Sequence, residues 1–159
     1  MDYTIYINIL KDTLKKKIQL LDRLIEESKK QEENLSITEV DIDSFYESIG
    51  KKETLITQLN ELDDGFEVVY ERFGNFIKEN RMDYQTEIFE LQELIRMVMD
   101  KSTFLQGKEK SNKEKVEKYL LEKKVEVRTF KTSNQAVSNY YKSMSDAYQG
   151  EGFFLDKKK

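Results

Sequence analysis

Three apolar stripes at helical spacing run through this chain. Ile7, Leu10, Leu14, Ile18, Leu21 and Ile25 recur in steps of three and four, which places them on one face of an α-helix. Asp2 or Thr4 stands where an N-cap belongs, so this pattern predicts a first helix over about residues 4–35. A polar and β-branched stretch, 36–43, follows, and Asp43 is placed to cap a second helix. The second stripe is Phe45, Ile49, Ile56, Leu59, Leu62, Phe66, Val69, Phe73 and Ile77. It is interrupted by Lys52 and passes Gly65 and Gly74, where the helix is expected to bend without stopping. After a break around Asn80, Tyr84, Ile88, Leu91, Ile95, Val98 and Leu105 form a heptad stripe.

The fold class implied is all-α: an elongated antiparallel bundle of three long helices, at about 4–35, 43–79 and 82–131. The bundle domain is residues 1–131, followed by a tail, 132–159. The seam of the third helix turns polar after Leu105, falling on Glu109 and Asn112 close to Gly107, before it resumes at Val116 and Tyr119. Looser packing and a kink are expected there. Extended to Phe130, the third helix would measure about 74 Å against about 48 Å for the first. Its end would then overhang, leaving Val116, Tyr119, Leu120, Val127 and Phe130 exposed. Within the tail, Val137, Tyr141, Met144 and Tyr148 are spaced four, three and four, one face of a short fourth helix that could fold back on the bundle; Phe153 and Phe154 lie near the terminus.

Composition narrows the chemistry. The 159 residues contain no proline, cysteine, histidine or tryptophan, while 36% are charged. Without proline, nothing stops a long helix. Without His or Cys, thiolate and helical di-metal sites are excluded. Asp41-Ile-Asp43-Ser starts like a calcium loop, but its sixth position is Tyr46 and its twelfth Lys52, where glycine and a bidentate Glu are required. No nucleophile, base and oxyanion donor converge, so no enzyme and no cofactor are expected. No apolar run is long enough for a membrane span, and the N-terminal stretch has neither a basic leader nor a cleavage site. A soluble, cytoplasmic protein without membrane insertion is the expectation.

Net charge is −4, distributed as −7 over residues 1–80 and +3 over 81–159. Packing of oppositely charged helices accounts for this more simply than steering of a charged partner. The basic run from Lys108 to Lys131 alternates with five glutamates, a pattern of an exposed salt-bridged helix and not of a nucleic-acid track.

Two segments carry a likeness to a known family: Lys52-Glu-Thr-Leu-Ile-Thr-Gln-Leu-Asn-Glu-Leu-Asp-Asp-Gly-Phe-Glu-Val-Val-Tyr70, and Ser138-Asn-Tyr-Tyr-Lys-Ser-Met144 with the ending Phe-Leu-Asp-Lys-Lys-Lys159. Together they resemble the FlgN-like flagellar export chaperones, in their clostridial form. The resemblance implies a small cytoplasmic helical protein that binds the C-terminal helical segments of hook-associated proteins. It would prevent their early assembly and bring them to the export apparatus, with no cofactor and no nucleic acid. The client surface expected is Val116, Tyr119, Leu120, Val127 and Phe130 with the tail residues Val137, Tyr141, Met144, Tyr148, Phe153 and Phe154. The alternative is a self-associating coiled-coil scaffold.

Overall fold

The computed structural model describes residues 2–37 and 39–123, and these fold as three long helices. Helix α1 spans Thr4–Leu35 and α2 spans Ile42–Glu79; a 3₁₀ turn, Arg81–Tyr84, leads into α3, Gln85–Lys123. Lengths of 32, 38 and 39 residues correspond to about 48, 57 and 58 Å. Helix α1 packs along both partners, and its backbone approaches each more closely than α2 and α3 approach one another. Pairs across α1 and α3 keep a nearly constant offset: Lys11 with Glu90, and Asp22 with Lys101, are both 79 residues apart, and Glu32 with Lys108 is 76 apart. These two helices are therefore parallel, and α2 runs antiparallel to both.

The seam is a continuous heptad. Ile7, Leu10, Leu14, Lys17, Leu21, Leu24, Ser28 and Gln31 are buried along α1, alternating steps of three and four. On α3 the same rhythm runs from Tyr84 through Ile88, Leu91, Ile95, Val98, Ser102, Leu105, Glu109 and Asn112 to Val116. A 3.5-residue repeat keeps one stripe facing its neighbours over many turns. The stripe on α1 is thus shifted from the one inferred from apolar residues alone. Ile18 and Ile25 are only partly buried, while Leu24 and the stem of Lys17 take the central positions.

Lys17 shows how a long cation is accommodated. Its Nζ leaves the core for the rim, where Asp63 Oδ1 accepts at 2.5 Å. The four-carbon stem replaces an apolar side chain, and the core continues past it.

At the open end of α1 the aromatic rings fix the pairing with α2. Tyr6 stacks on Phe73 with centroids 3.6 Å apart, and Tyr3 stacks on Phe76 at 5.5 Å. The Tyr84 hydroxyl accepts from the Tyr3 amide at 2.9 Å, joining the start of α3 to the same cluster. Helix α2 passes Gly65 and Gly74 without interruption. A Cβ at Gly74 would meet the Tyr70 ring at 3.1 Å, so this glycine makes room for an aromatic side chain. Helix α3 is likewise continuous through Gly107.

The cap of α2 is Asp41, not Asp43. The Asp41 carboxylate accepts from the Ser44 amide at 3.1 Å and from its hydroxyl at 2.7 Å. Asn34 clips Asp41 from the end of α1, donating to its carbonyl at 2.8 Å and accepting from its amide at 3.0 Å. The helix therefore starts two residues earlier than its sequence suggests.

Leu59→Ala, at a fully buried seam position, is expected to lower stability by about 2–5 kcal/mol in denaturant titration, whereas Val68→Ala on the outer face should stay within about 0.5 kcal/mol. Hydrogen bonds from Ser44 hold the Asp41 carboxyl below its ordinary 3.8. Its stabilising contribution is thus present above 3.8 and lost as pH falls through the lowered value. Asp41→Asn should match wild type at neutral pH and lose less thermal stability on acidification.

Candidate functional site

The far end of the bundle holds a second, smaller core. Phe45 and Ile49 of α2 pack with Val116 and Leu120 of α3, and Leu35, Ile42, Tyr46 and Tyr119 close around them. Val116 and Leu120 are 0% exposed. Tyr119 is partly buried and its hydroxyl donates to the Val40 carbonyl at 3.5 Å. The exposure expected for Val116, Tyr119 and Leu120 is thereby corrected. Comparing helix lengths left out the register: with Lys52 opposite Glu109 across antiparallel helices, the first residue of α2, Ile42, stands opposite position 119. Helix α2, with Val40 just before it, thus covers α3 to that point. Leu121, just beyond, is exposed. Val127, Phe130, Val137, Tyr141, Met144, Tyr148, Phe153 and Phe154 lie outside the described residues.

Between the small core and the main one lies a sealed polar layer. Lys52 and Glu109, 1% and 6% exposed, form an ion pair across α2 and α3. Gln31 Oε1 accepts from Lys52 Nζ at 2.7 Å, and Glu109 Oε1 accepts from the Ser28 hydroxyl at 2.7 Å. Asn112 donates to the Ser28 carbonyl at 2.9 Å. All three helices therefore contribute to one network. Near its rim, the Ser48 hydroxyl donates to Glu27 at 3.0 Å. The Gln31 Nε2 and Asn112 Oδ1 atoms are buried without a hydrogen-bond partner among the described residues, so part of the layer's polarity goes uncompensated.

Burial pushes the Lys52 pKa below its ordinary 10.5, against the opposing pull of the Glu109 charge and hydrogen bond and of Glu27. The folded site therefore releases its proton more readily than the unfolded chain, and in the window just below 10.5 its contribution to stability rises with pH. The lysine that disqualified the calcium-loop pattern and the glutamate that interrupted the third stripe are each other's partners. A sequence signal for this existed: Lys52 lies 28 residues before Asn80, and Glu109 lies 28 residues after Arg81. An antiparallel hairpin turning at 80–81 brings them level.

The outer surface offers two further features. Phe89, Met97 and Phe104 are exposed on α3, spaced eight and seven apart, on the face opposite the seam. The ammonium groups of Lys29 and Lys108 lie 5.8 and 5.6 Å from the Phe104 ring centroid, within cation–π range. Between α1 and α2 an open groove of about 430 Å³ is lined by Arg23, Glu26, Glu27, Lys30, Lys51, Thr54, Leu55 and Gln58. Charges of both signs line it. Among the described residues no group of three or more metal-ligating side chains assembles, and no helix is long and apolar enough to cross a membrane.

The opposite charges of the two halves meet in the packing. Lys108 donates to Glu32 at 2.5 Å and Lys101 to Asp22 at 2.6 Å, joining the first helix to the third. The first of the lysines in the basic run is thereby engaged within the bundle.

The chain matches no protein-family model, no curated protein and no solved structure.

Lys52→Met alone should destabilise the bundle by about 3–5 kcal/mol, because Glu109 is left buried without a counter-charge. The paired change Lys52→Met/Glu109→Leu should recover that loss and exceed wild type by up to about 4 kcal/mol. Urea unfolding of the four proteins in the double-mutant cycle measures both effects.

Proposed function

We propose that this protein is a cytoplasmic flagellar export chaperone that binds the C-terminal helical segments of hook-associated proteins, keeps them from assembling early and hands them to the export apparatus. It acts by contact alone, without a cofactor, catalysis, nucleic acid or membrane insertion. The observation that carries the reading is the resemblance of Lys52–Tyr70, and of Ser138–Met144 with the terminal Phe-Leu-Asp-Lys-Lys-Lys159, to FlgN-like chaperones. The three-helix bundle supports it, since long helices with outward apolar side chains suit recognition of an amphipathic helix. The tail stripe Val137, Tyr141, Met144 and Tyr148 adds aromatic and thioether groups able to adapt to a client.

A second reading, a self-associating coiled-coil scaffold, has its own observation: the outward stripe Phe89, Met97 and Phe104 on α3. Sedimentation separates the two, because the scaffold is a stable dimer or larger without a client. Phe89→Ser/Met97→Ser/Phe104→Ser would dissociate it.

Calorimetric titration with the C-terminal segment of a hook-associated protein from the same organism should give micromolar or tighter binding. Truncation after Lys131 should abolish that binding if the tail holds the client. Retention after truncation would move the site to the bundle, and absence of binding by both forms would refute the chaperone reading. Substituting Val116, Tyr119 and Leu120 together is unsuited to mapping, because two of them are core residues and the loss would report folding.

A further inference from the structure

The apolar interior of this bundle is two clusters, not one. The larger comprises residues from Ile7 to Leu24 on α1, Leu55 to Ile77 on α2, Tyr84 of the 3₁₀ turn and Ile88 to Leu105 on α3. The smaller contains Phe45, Ile49, Val116 and Leu120. On every helix the buried residues between them are polar: Ser28 and Gln31 on α1, Lys52 on α2, Glu109 and Asn112 on α3. From Leu105 to Val116 the seam of α3 carries no apolar side chain over 11 residues, about 16 Å of helix. Cooperativity between parts of a fold travels through shared apolar contacts, and segments with few of them open at lower free energy.

The contrast with Lys17 is informative. That lysine also occupies a central seam position, but its ammonium escapes to Asp63 at the rim and a single apolar cluster continues on both sides. Lys52 has no such exit. Its charge ends among Gln31 and Glu109 in the middle of the bundle, and the layer spans all three helices.

From this arrangement we infer that the Lys52–Glu109 layer is a boundary of cooperativity. The distal unit, formed by residues 42–50 of α2 and 114–121 of α3, opens as one piece while the main bundle stays folded. Opening bares Phe45, Ile49, Val116 and Leu120 together, an apolar seam of the size and periodicity that an amphipathic helix occupies. Two of the side chains that the sequence marks as client surface, Val116 and Leu120, are thus held shut in the resting bundle and delivered by local opening. That last step, the occupant, rests on the chaperone reading; the two-unit behaviour does not.

Amide hydrogen exchange of the full chain, without any client, tests the inference. Amides of 45–50 and 116–121 should exchange at least about tenfold faster than those of 10–24, 56–62 and 91–105, through a common opening whose denaturant dependence is measurable but smaller than that of global unfolding. Phe45→Ala, a change on α2, should accelerate exchange at 116–121 on α3 and leave the main core amides unchanged. Equal protection in both units overturns the inference. So does a graded loss of protection along each helix with α3 indifferent to Phe45→Ala, which is independent fraying. The paired Lys52→Met/Glu109→Leu change should merge the units and bring distal protection up to that of the main core; persistence of the difference in that variant overturns the role of the layer. Adding the hook-associated segment should slow exchange at 116–121. No change there overturns the occupant alone and leaves the boundary to the client-free data.

Discussion

An ammonium and a carboxylate enclosed by three helices constrain everything around them. Removing two charges from water costs several kcal/mol each, and only close pairing with good hydrogen bonds offsets it. Lys52 and Glu109 meet that condition in one register of α2 against α3, with Gln31 and Ser28 of α1 completing the geometry. A slide of α3 by one heptad would preserve most apolar contacts along a seam that repeats every seven residues, but it would strand both charges. The layer contributes little net stability, and it excludes the alternatives that a regular heptad otherwise permits.

The remaining polar contacts fall into place from that register. The α1 to α3 pairs, Lys11 with Glu90, Asp22 with Lys101 and Glu32 with Lys108, all sit at the bundle surface, where solvent screening leaves each worth little. Their role is orientation: they align an acidic first half with a more basic second half and leave the apolar seam to supply the stability. The aromatic cluster of Tyr3, Tyr6, Phe73, Phe76 and Tyr84 closes one end, and the small core of Phe45, Ile49, Val116 and Leu120 closes the other. The two ends differ in construction: the aromatic one is continuous with the main core, the other is cut off from it by buried charge.

On the proposed chaperone reading, this division matters more than any single side chain. A bundle whose whole interior is one apolar unit exposes its seam only by unfolding. A bundle with a buried charged partition can release a few apolar residues at one end and keep its framework. The sites of low local stability and the sites of recognition then coincide, as they do in binding loops and lids generally.

Helical period alone determined the class of this protein and most of its boundaries. The stripes from Ile7, Phe45 and Tyr84 set three helices whose observed limits, Thr4–Leu35, Ile42–Glu79 and Gln85–Lys123, fall within three residues of those read from the sequence over the described part of the chain, the third starting later because a 3₁₀ turn precedes it. The absence of proline, histidine and cysteine equally fixed what chemistry was impossible. Tertiary structure decided three matters that periodicity could not. It placed Lys17, Ser28 and Gln31 in the seam, because a heptad position is defined by the neighbour it faces and not by its own polarity. It buried Val116 and Leu120, because register, not helix length, sets where a helix becomes unsupported. And it turned two separate flaws in two stripes, Lys52 and Glu109, into one partnership, because complementarity between charges distant in sequence exists only once the chain has brought them level.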